Sequence, residues 1–199
     1  HRDLHSFPTR RSSDLPLSRL NAADGMATPL AQEAYEKMYS VLGGKPVHNT
    51  LAMHWARLVE LLYSAERAVE LASDKDITAP DLRNKMYQTP REGVGIVEAQ
   101  RGTLTHHYMT DERGLVTKAN LIVGTTNNHA AISMSIKKAA QGVIKKGVVV
   151  DSGILNMVEM AFRAYDPCFS CATHSLPGKM PLTVNIRNPK GDILEQFSR

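Results

Sequence analysis

The stretch LAMHWARLVELLYSAERAVELA, Leu51 to Ala72, carries the strongest periodic signal in this 199-residue chain. Leu51, Trp55, Leu58, Leu62, Ala65 and Val69 recur at alternating steps of four and three, which lines them along one stripe of an α-helix. Asn49 stands just ahead as a candidate N-cap, because its side-chain oxygen can accept from the unpaired N–H groups of a first turn. A helix of this length, ending near Ala72, predicts a helix bundle rather than a small satellite element.

Working outward, Gln32 to Leu42 predicts a shorter helix, stopped by Gly43-Gly44 and Pro46, while residues 16–30 show little periodicity. Between Gly93 and Gly124 the texture becomes β-rich, at Val94 and Ile96, Leu104 to Met109, and Leu115 to Val123. Arg101-Gly102 and Asp111-Glu112-Arg113-Gly114 divide these runs, so two or three antiparallel strands are expected. Helical period returns with Ile132, Ile136, Ala139 and Val143, capped by Asn127 or Asn128 and ending near Gly147. A last helix follows Asp151 or Ser152, with Ile154, Val158, Ala161 and Tyr165 on one face. Beyond it lie a strand over Leu182 to Ile186 and a turn at Asn188 to Gly191. The expected class is α+β, mostly helical: a long-helix bundle with a small antiparallel β-sheet, and no internal repeat.

Composition excludes several classes. The net charge is +4, but the excess sits at the ends, and no basic stripe interleaved with aromatics exists to follow a phosphate backbone. No nucleic-acid partner is expected. No apolar run approaches the roughly 18 residues that span a bilayer, so no membrane segment is expected. Two cysteines in so long a chain argue against a disulfide framework and for a reducing compartment or a metal site.

The segment His1 to Leu15, HRDLHSFPTRRSSDL, has no hydrophobic period, no caps and no apolar core of a signal peptide. It resembles one translated frame of a short-read sequencing adapter. Residues 1–15 are therefore expected to be a disordered artefact, with native sequence starting near Pro16 and more of it missing upstream.

The chemistry concentrates in DPCFSCATH, Asp166 to His174. Pro167 resists helix continuation, so Cys168 and Cys171 are expected on a loop just past a helix end, where two thiolates at i and i+3 can point to one centre. Three readings compete on these residues: a structural zinc site, which wants four ligands where three stand nearby; a thioredoxin-like redox pair, which belongs at a helix start; and two inert buried cysteines.

The string Asp166-Pro167-Cys168-x-x-Cys171-x-x-His174, preceded by Phe162-Arg163-Ala164-Tyr165, resembles the C-terminal metal signature of nickel–iron hydrogenase large subunits. The likeness extends through EAQRGTLTHHY (Glu98 to Tyr108), NLIVGTTNNHA (Asn120 to Ala130) and HNTLAMHWARLVELLY (His48 to Tyr63), and covers about residues 30–186. His106-His107-Tyr108 and TTNNHA resemble the cytoplasmic methyl-viologen-reducing type, with NAD-linked and deazaflavin-linked types close to it. Gln100 departs from the proline that many relatives carry before the arginine.

The resemblance implies a reversible cleavage of dihydrogen, with electrons passed to an iron–sulfur small subunit, then to further electron-transfer subunits. It implies Cys168 as a terminal nickel thiolate and Cys171 as a bridge to an iron that bears cyanide and carbonyl ligands. His174 would help to bind magnesium or a similar ion, and Thr125 or Thr126 would lie around the iron's diatomic ligands. Arg101 would hang over the open metal edge with Asp166 as its carboxylate partner. Heterolytic splitting needs a base for the proton; because arginine stays protonated, the Cys168 sulfur is the favoured first acceptor and Arg101 sets the electrostatics. His106 and His107 are read as strand residues without a ligand role. Residues 16–174 would form the C-terminal part of the large subunit, with Ser175 to Arg199 an extension trimmed by a maturation endopeptidase. A cytoplasmic location is expected. Two rival functions remain at this level: a nickel-free respiratory-complex subunit of the same fold, whose members generally lose the cysteines, and a zinc-binding structural module.

Two thiolates are half of the ligand set that the resemblance requires. The polypeptide expressed alone is therefore predicted to show no hydrogen uptake and to bind nickel weakly if at all. Near-stoichiometric nickel in the purified chain would overturn this.

Overall fold

A computed structural model describes residues 15–80, 88–145, 147–169 and 183–198. The chain divides into two units, His1–Pro167 and Cys168–Arg199. In the first, helices α1 (Pro16–Ala22), α2 (Pro29–Leu42) and α3 (Ala52–Ala72) precede strands β1 (Glu92–Ala99), β2 (Gly102–Thr110) and β3 (Val116–Ile122), with a 3-10 turn at Lys75–Thr78 between them. The short α4 (Gly124–Asn127), α5 (His129–Val143) and α6 (Ser152–Arg163) follow. The second unit contains a hairpin of β4 (Thr183–Arg187) and β5 (Ile193–Ser198). The expected class stands: mostly helical, with small antiparallel sheets.

Each boundary has a local cause. Helix α2 begins three residues earlier than its period suggests, because Pro29 sits in the first turn, where a missing N–H costs nothing. It ends at Gly43, whose left-handed φ of +87° a side chain would resist, and the Gly44 N–H closes back on Tyr39 O at 2.8 Å. Asp151 caps α6 by accepting from the Ile154 N–H at 2.8 Å. Asn49 does not cap α3 directly; its Oδ1 accepts from Leu51 N at 2.9 Å, one residue before the helix starts. Helix α1 escaped the periodic reading because seven residues show less than two full repeats, yet Leu17 and Leu20 are buried. Leu15, at the edge of the excluded segment, is also buried. Helix α5 stops at Val143, short of Gly147, and β5 extends the tail beyond the single strand expected there.

One core joins these helices. Leu15, Leu17, Leu20, Tyr35, Met38, Ala52, Met53, Ala56 and Val59 form a cluster that also takes Ala131 and Ile132 of α5 and Ala164 and Tyr165 past α6. Full burial of a side chain such as Met38 contributes about 1.5–3 kcal/mol. The face of α3 that enters this core overlaps the predicted stripe only at Trp55, which packs against its edge. Small Ala52 and Ala56, with Met53 and Val59, allow α1 and α2 to approach, whereas Leu51, Leu58 and Val69 stay 50%, 63% and 69% exposed. The helix is apolar on more than one face, and period alone does not say which one packs first.

The sheet has order β1-β2-β3 with antiparallel neighbours, Ala99 opposite Gly102 and Thr105 opposite Ile122. His107 Nε2 lies 2.7 Å from Glu92 Oε1, and His106 Nδ1 lies 2.7 Å from Tyr108 Oη.

A carboxylate from α3 satisfies the start of α2. Glu66 accepts from Thr28 Oγ1 at 2.6 Å and from the N–H groups of Leu30 and Ala31 at 3.1 and 2.9 Å, donors that Thr28 leaves unpaired. The Thr28 hydroxyl, helped by the two backbone N–H groups, holds the Glu66 carboxyl below its ordinary value. A carboxyl depressed on folding stabilises the fold above its unfolded pKa, near about 4.3, and loses that contribution as pH falls through the folded value. Glu66→Gln is predicted to lower the urea midpoint at neutral pH, with the gap to wild type closing below about pH 4. A gap that persists undiminished in acid would refute the capping account.

Candidate metal centre and its guanidinium pair

Arg101 occupies the two-residue connection between β1 and β2, beside Gly102, whose φ of +121° favours glycine. The connection is clamped from one side by the GTTNN segment. A Cβ on Gly124 would lie 2.7 Å from Arg101 O, so only glycine permits this approach. Asn128, 1% exposed, donates Nδ2 to Arg101 O at 2.9 Å and to Gly124 O at 3.1 Å. Asn127 Nδ2 reaches Thr103 O at 3.3 Å. The Asn128 Oδ1 is buried without a hydrogen-bond partner. Thr125 is 1% exposed, whereas Thr126 is exposed, so only Thr125 is held inside this clamp.

On the other side, the chain leaves α6 through a tight bend. Tyr165 N donates to Phe162 O at 3.0 Å and Asp166 N to Arg163 O at 2.8 Å. Asp166 then takes φ +49°, the left-handed region, which aspartate tolerates better than most residues, and Pro167 prevents the helix from resuming. Such a conformation costs about 1 kcal/mol. It is the single non-glycine residue with positive φ among the described residues.

The structure brings Arg101 and Asp166 together. Arg101 Nε donates to Asp166 O at 2.7 Å and lies 3.2 Å from Asp166 Oδ2, both side chains being about one-third exposed. A second guanidinium stands behind this pair. Arg57, from the core-facing half of α3, donates Nη2 to Ala164 O at 2.9 Å, and its Nε is 4.0 Å from the same Asp166 Oδ2. Burial pushes the Arg57 guanidinium down from its ordinary value, Asp166 and Glu60 oppose that, and the guanidiniums of Arg101 and Arg19 add to it. Nearby, Arg19 pairs with Glu60 through two contacts of 2.7 Å and donates to Ala99 O at 2.9 Å, tying α1 and α3 to the end of β1.

Cys168 opens the second unit. Cys171 and His174 lie outside the described residues, as do Ser175 to Leu182 of the expected extension. Among the described residues no group of three or more His, Cys, Asp or Glu side chains is arranged to hold a metal ion. No described helix is long and apolar enough to cross a membrane. Sequence reasoning missed Arg57, which stands in a mostly apolar stretch of helix and belongs to no motif, and it read Asn128 only as a possible cap. The run Gly124 to Asn128 directly after a strand was the signal available for the clamp.

A family model for nickel-dependent hydrogenases matches residues 16–174, and the chain belongs to that family. It is 53% identical over 180 residues to an F420-non-reducing hydrogenase iron-sulfur subunit of Archaeoglobus profundus, covering 90% of this chain and 37% of that protein. To the NAD-reducing hydrogenase HoxS subunit beta of Cupriavidus necator it is 40% identical over 190 residues, covering 92% of this chain and 38% of the relative. A crystal structure of an NAD+-reducing nickel–iron hydrogenase in the H2-reduced state aligns with a TM-score of 0.74 and 41% identity, over 80% of this chain and 35% of that one. The chain thus spans less than two-fifths of the length of these relatives.

Gly124→Ala is predicted to destabilise the first unit by about 1–3 kcal/mol, since the new methyl meets backbone rather than a flexible side chain. Urea unfolding measures it; an unchanged midpoint would show that the clamp yields freely.

Proposed function

We propose that this chain is the C-terminal part of a nickel–iron hydrogenase large subunit, which cleaves dihydrogen reversibly once the complete enzyme is assembled. One observation carries the reading: the Arg101–Asp166 pair is joined through Pro167 to Cys168 in a member of the nickel-dependent hydrogenase family. Cys168 is disulfide-bonded in the structure, so the donor set fits the group in its reduced form. Thiolates at Cys168 and Cys171 would suit nickel and iron, and the His174 imidazole a further cation such as magnesium. Cys168 and Cys171 would supply half of a four-thiolate cradle, with cyanide and carbonyl completing the iron. Of the two threonines, the burial of Thr125 in the clamp favours it as the one that would line the diatomic ligands.

The metal pair supplies the site where dihydrogen is split. The protein's share follows from its own side chains. Arg101 stays protonated and, fixed by Asp166, offers a preorganised positive charge that need not reorganise during the reaction. Cys168 Sγ is the base that takes the proton. Electrons leave to an iron–sulfur small subunit, then to further subunits. The names of the relatives favour a non-F420 or NAD-linked acceptor and, with it, a cytoplasmic enzyme. Ser175 to Arg199 is the extension that a maturation endopeptidase removes.

Metal analysis and infrared spectroscopy of the complete large subunit in its complex test the reading. Nickel and iron together with bands of iron-bound carbonyl and cyanide are expected, and Cys168→Ser is expected to lose nickel and at least about a hundredfold of hydrogen uptake, roughly the loss of a whole catalytic group. Zinc in their place, or no metal, would overturn it.

A further inference from the structure

We propose that Arg57 is a positioning residue for the Arg101–Asp166 pair, gripping the bend that carries the Asp166 carboxylate. The inference rests on the hydrogenase reading above. Arg57 contacts both ends of the bend: Nη2 holds Ala164 O at 2.9 Å, and Nε faces Asp166 Oδ2 at 4.0 Å. Arg101 holds the same carboxylate oxygen at 3.2 Å from the opposite chain segment. One oxygen is therefore shared by two guanidiniums, and its position decides how firmly Arg101 is fixed.

Three further facts favour positioning over plain stabilisation. Ala164 is fully buried, so its carbonyl needs a donor, and Arg57 provides one from a helix whose neighbouring Ala56 and Val59 are locked in the core. The bend itself is unfavourable, since Asp166 adopts φ +49° in front of a proline and needs its surroundings to hold it there. Finally, the buried Arg57 Nε has no hydrogen-bond partner. A desolvated, partly unpaired guanidinium is a poor source of stability and a good source of defined geometry. A carboxylate shift of about 1 Å would bring Oδ2 into hydrogen-bond range of that Nε and away from Arg101. Arg57 thus sets the balance point of the pair, and it acts through Asp166.

The test uses the complete large subunit in its complex, with Arg57→Met, Arg57→Lys, Asp166→Asn and the double variants. Arg57→Met is expected to keep its nickel and its KM for hydrogen while kcat falls by about tenfold to a hundredfold, with a displaced iron-carbonyl infrared band. Arg57→Lys is expected to recover most of that loss. Because Arg57 acts through Asp166, Arg57→Met in the Asp166→Asn background should cost no more than about twofold further. A wild-type rate in Arg57→Met, or losses that multiply in the double variant, would overturn the inference. Should Arg57→Met fail to retain nickel, the same cycle with Arg57→Gln decides on the same criterion. A wild-type complex without nickel and the diatomic bands would instead overturn the hydrogenase reading, and this inference with it.

Discussion

The carboxylate of Asp166 is where three separate pieces of chain are held to one another. Arg101 comes from the β1–β2 connection, Arg57 from the long helix α3, and Asp166 itself from the bend after α6. Each ion pair is partly exposed, and such pairs contribute roughly 0–1 kcal/mol to stability. Their value lies in geometry. A guanidinium free to rotate samples many rotamers, while one bound at a fixed carboxylate, with its backbone clamped, has already lost that freedom.

The clamp on Arg101 shows how a fold dominated by helices makes a rigid position in a hairpin. The β1–β2 connection alone would be a surface turn. Gly124 and Asn128 convert it into a packed element: the glycine removes the Cβ that would collide with Arg101 O, and the asparagine satisfies that oxygen. On the opposite flank the Arg19–Glu60 pair and the Arg19 contact to Ala99 O tie the strand end to α1 and α3. The residue proposed to face the metals therefore rests on the main helical core, through contacts made almost wholly to backbone atoms.

The apolar surface left open has a related meaning. Leu51, Leu58 and Val69 on α3, and Val94 and Ile96 on β1, are exposed in a chain that spans less than two-fifths of its relatives. A globule of this size ordinarily hides such stripes. The strong period of Leu51 to Val69 is a true helix signal, but it reports an apolar face, not the face that enters the core of this chain.

Much of the architecture and the family could be read from local pattern. Hydrophobic period located the helices α2, α3, α5 and α6, turn residues separated the three strands, and DPCFSCATH carried the family resemblance, because each depends on neighbours in sequence. Only the folded chain could decide which stripe of α3 is buried, that Glu66 caps a helix more than thirty residues away, and that Arg57 meets Asp166 across a separation of more than one hundred. Those outcomes rest on shape and on competition between faces and donors of similar quality. No arrangement of nearby residues encodes them; they arise when helices settle at the distance their smallest side chains permit.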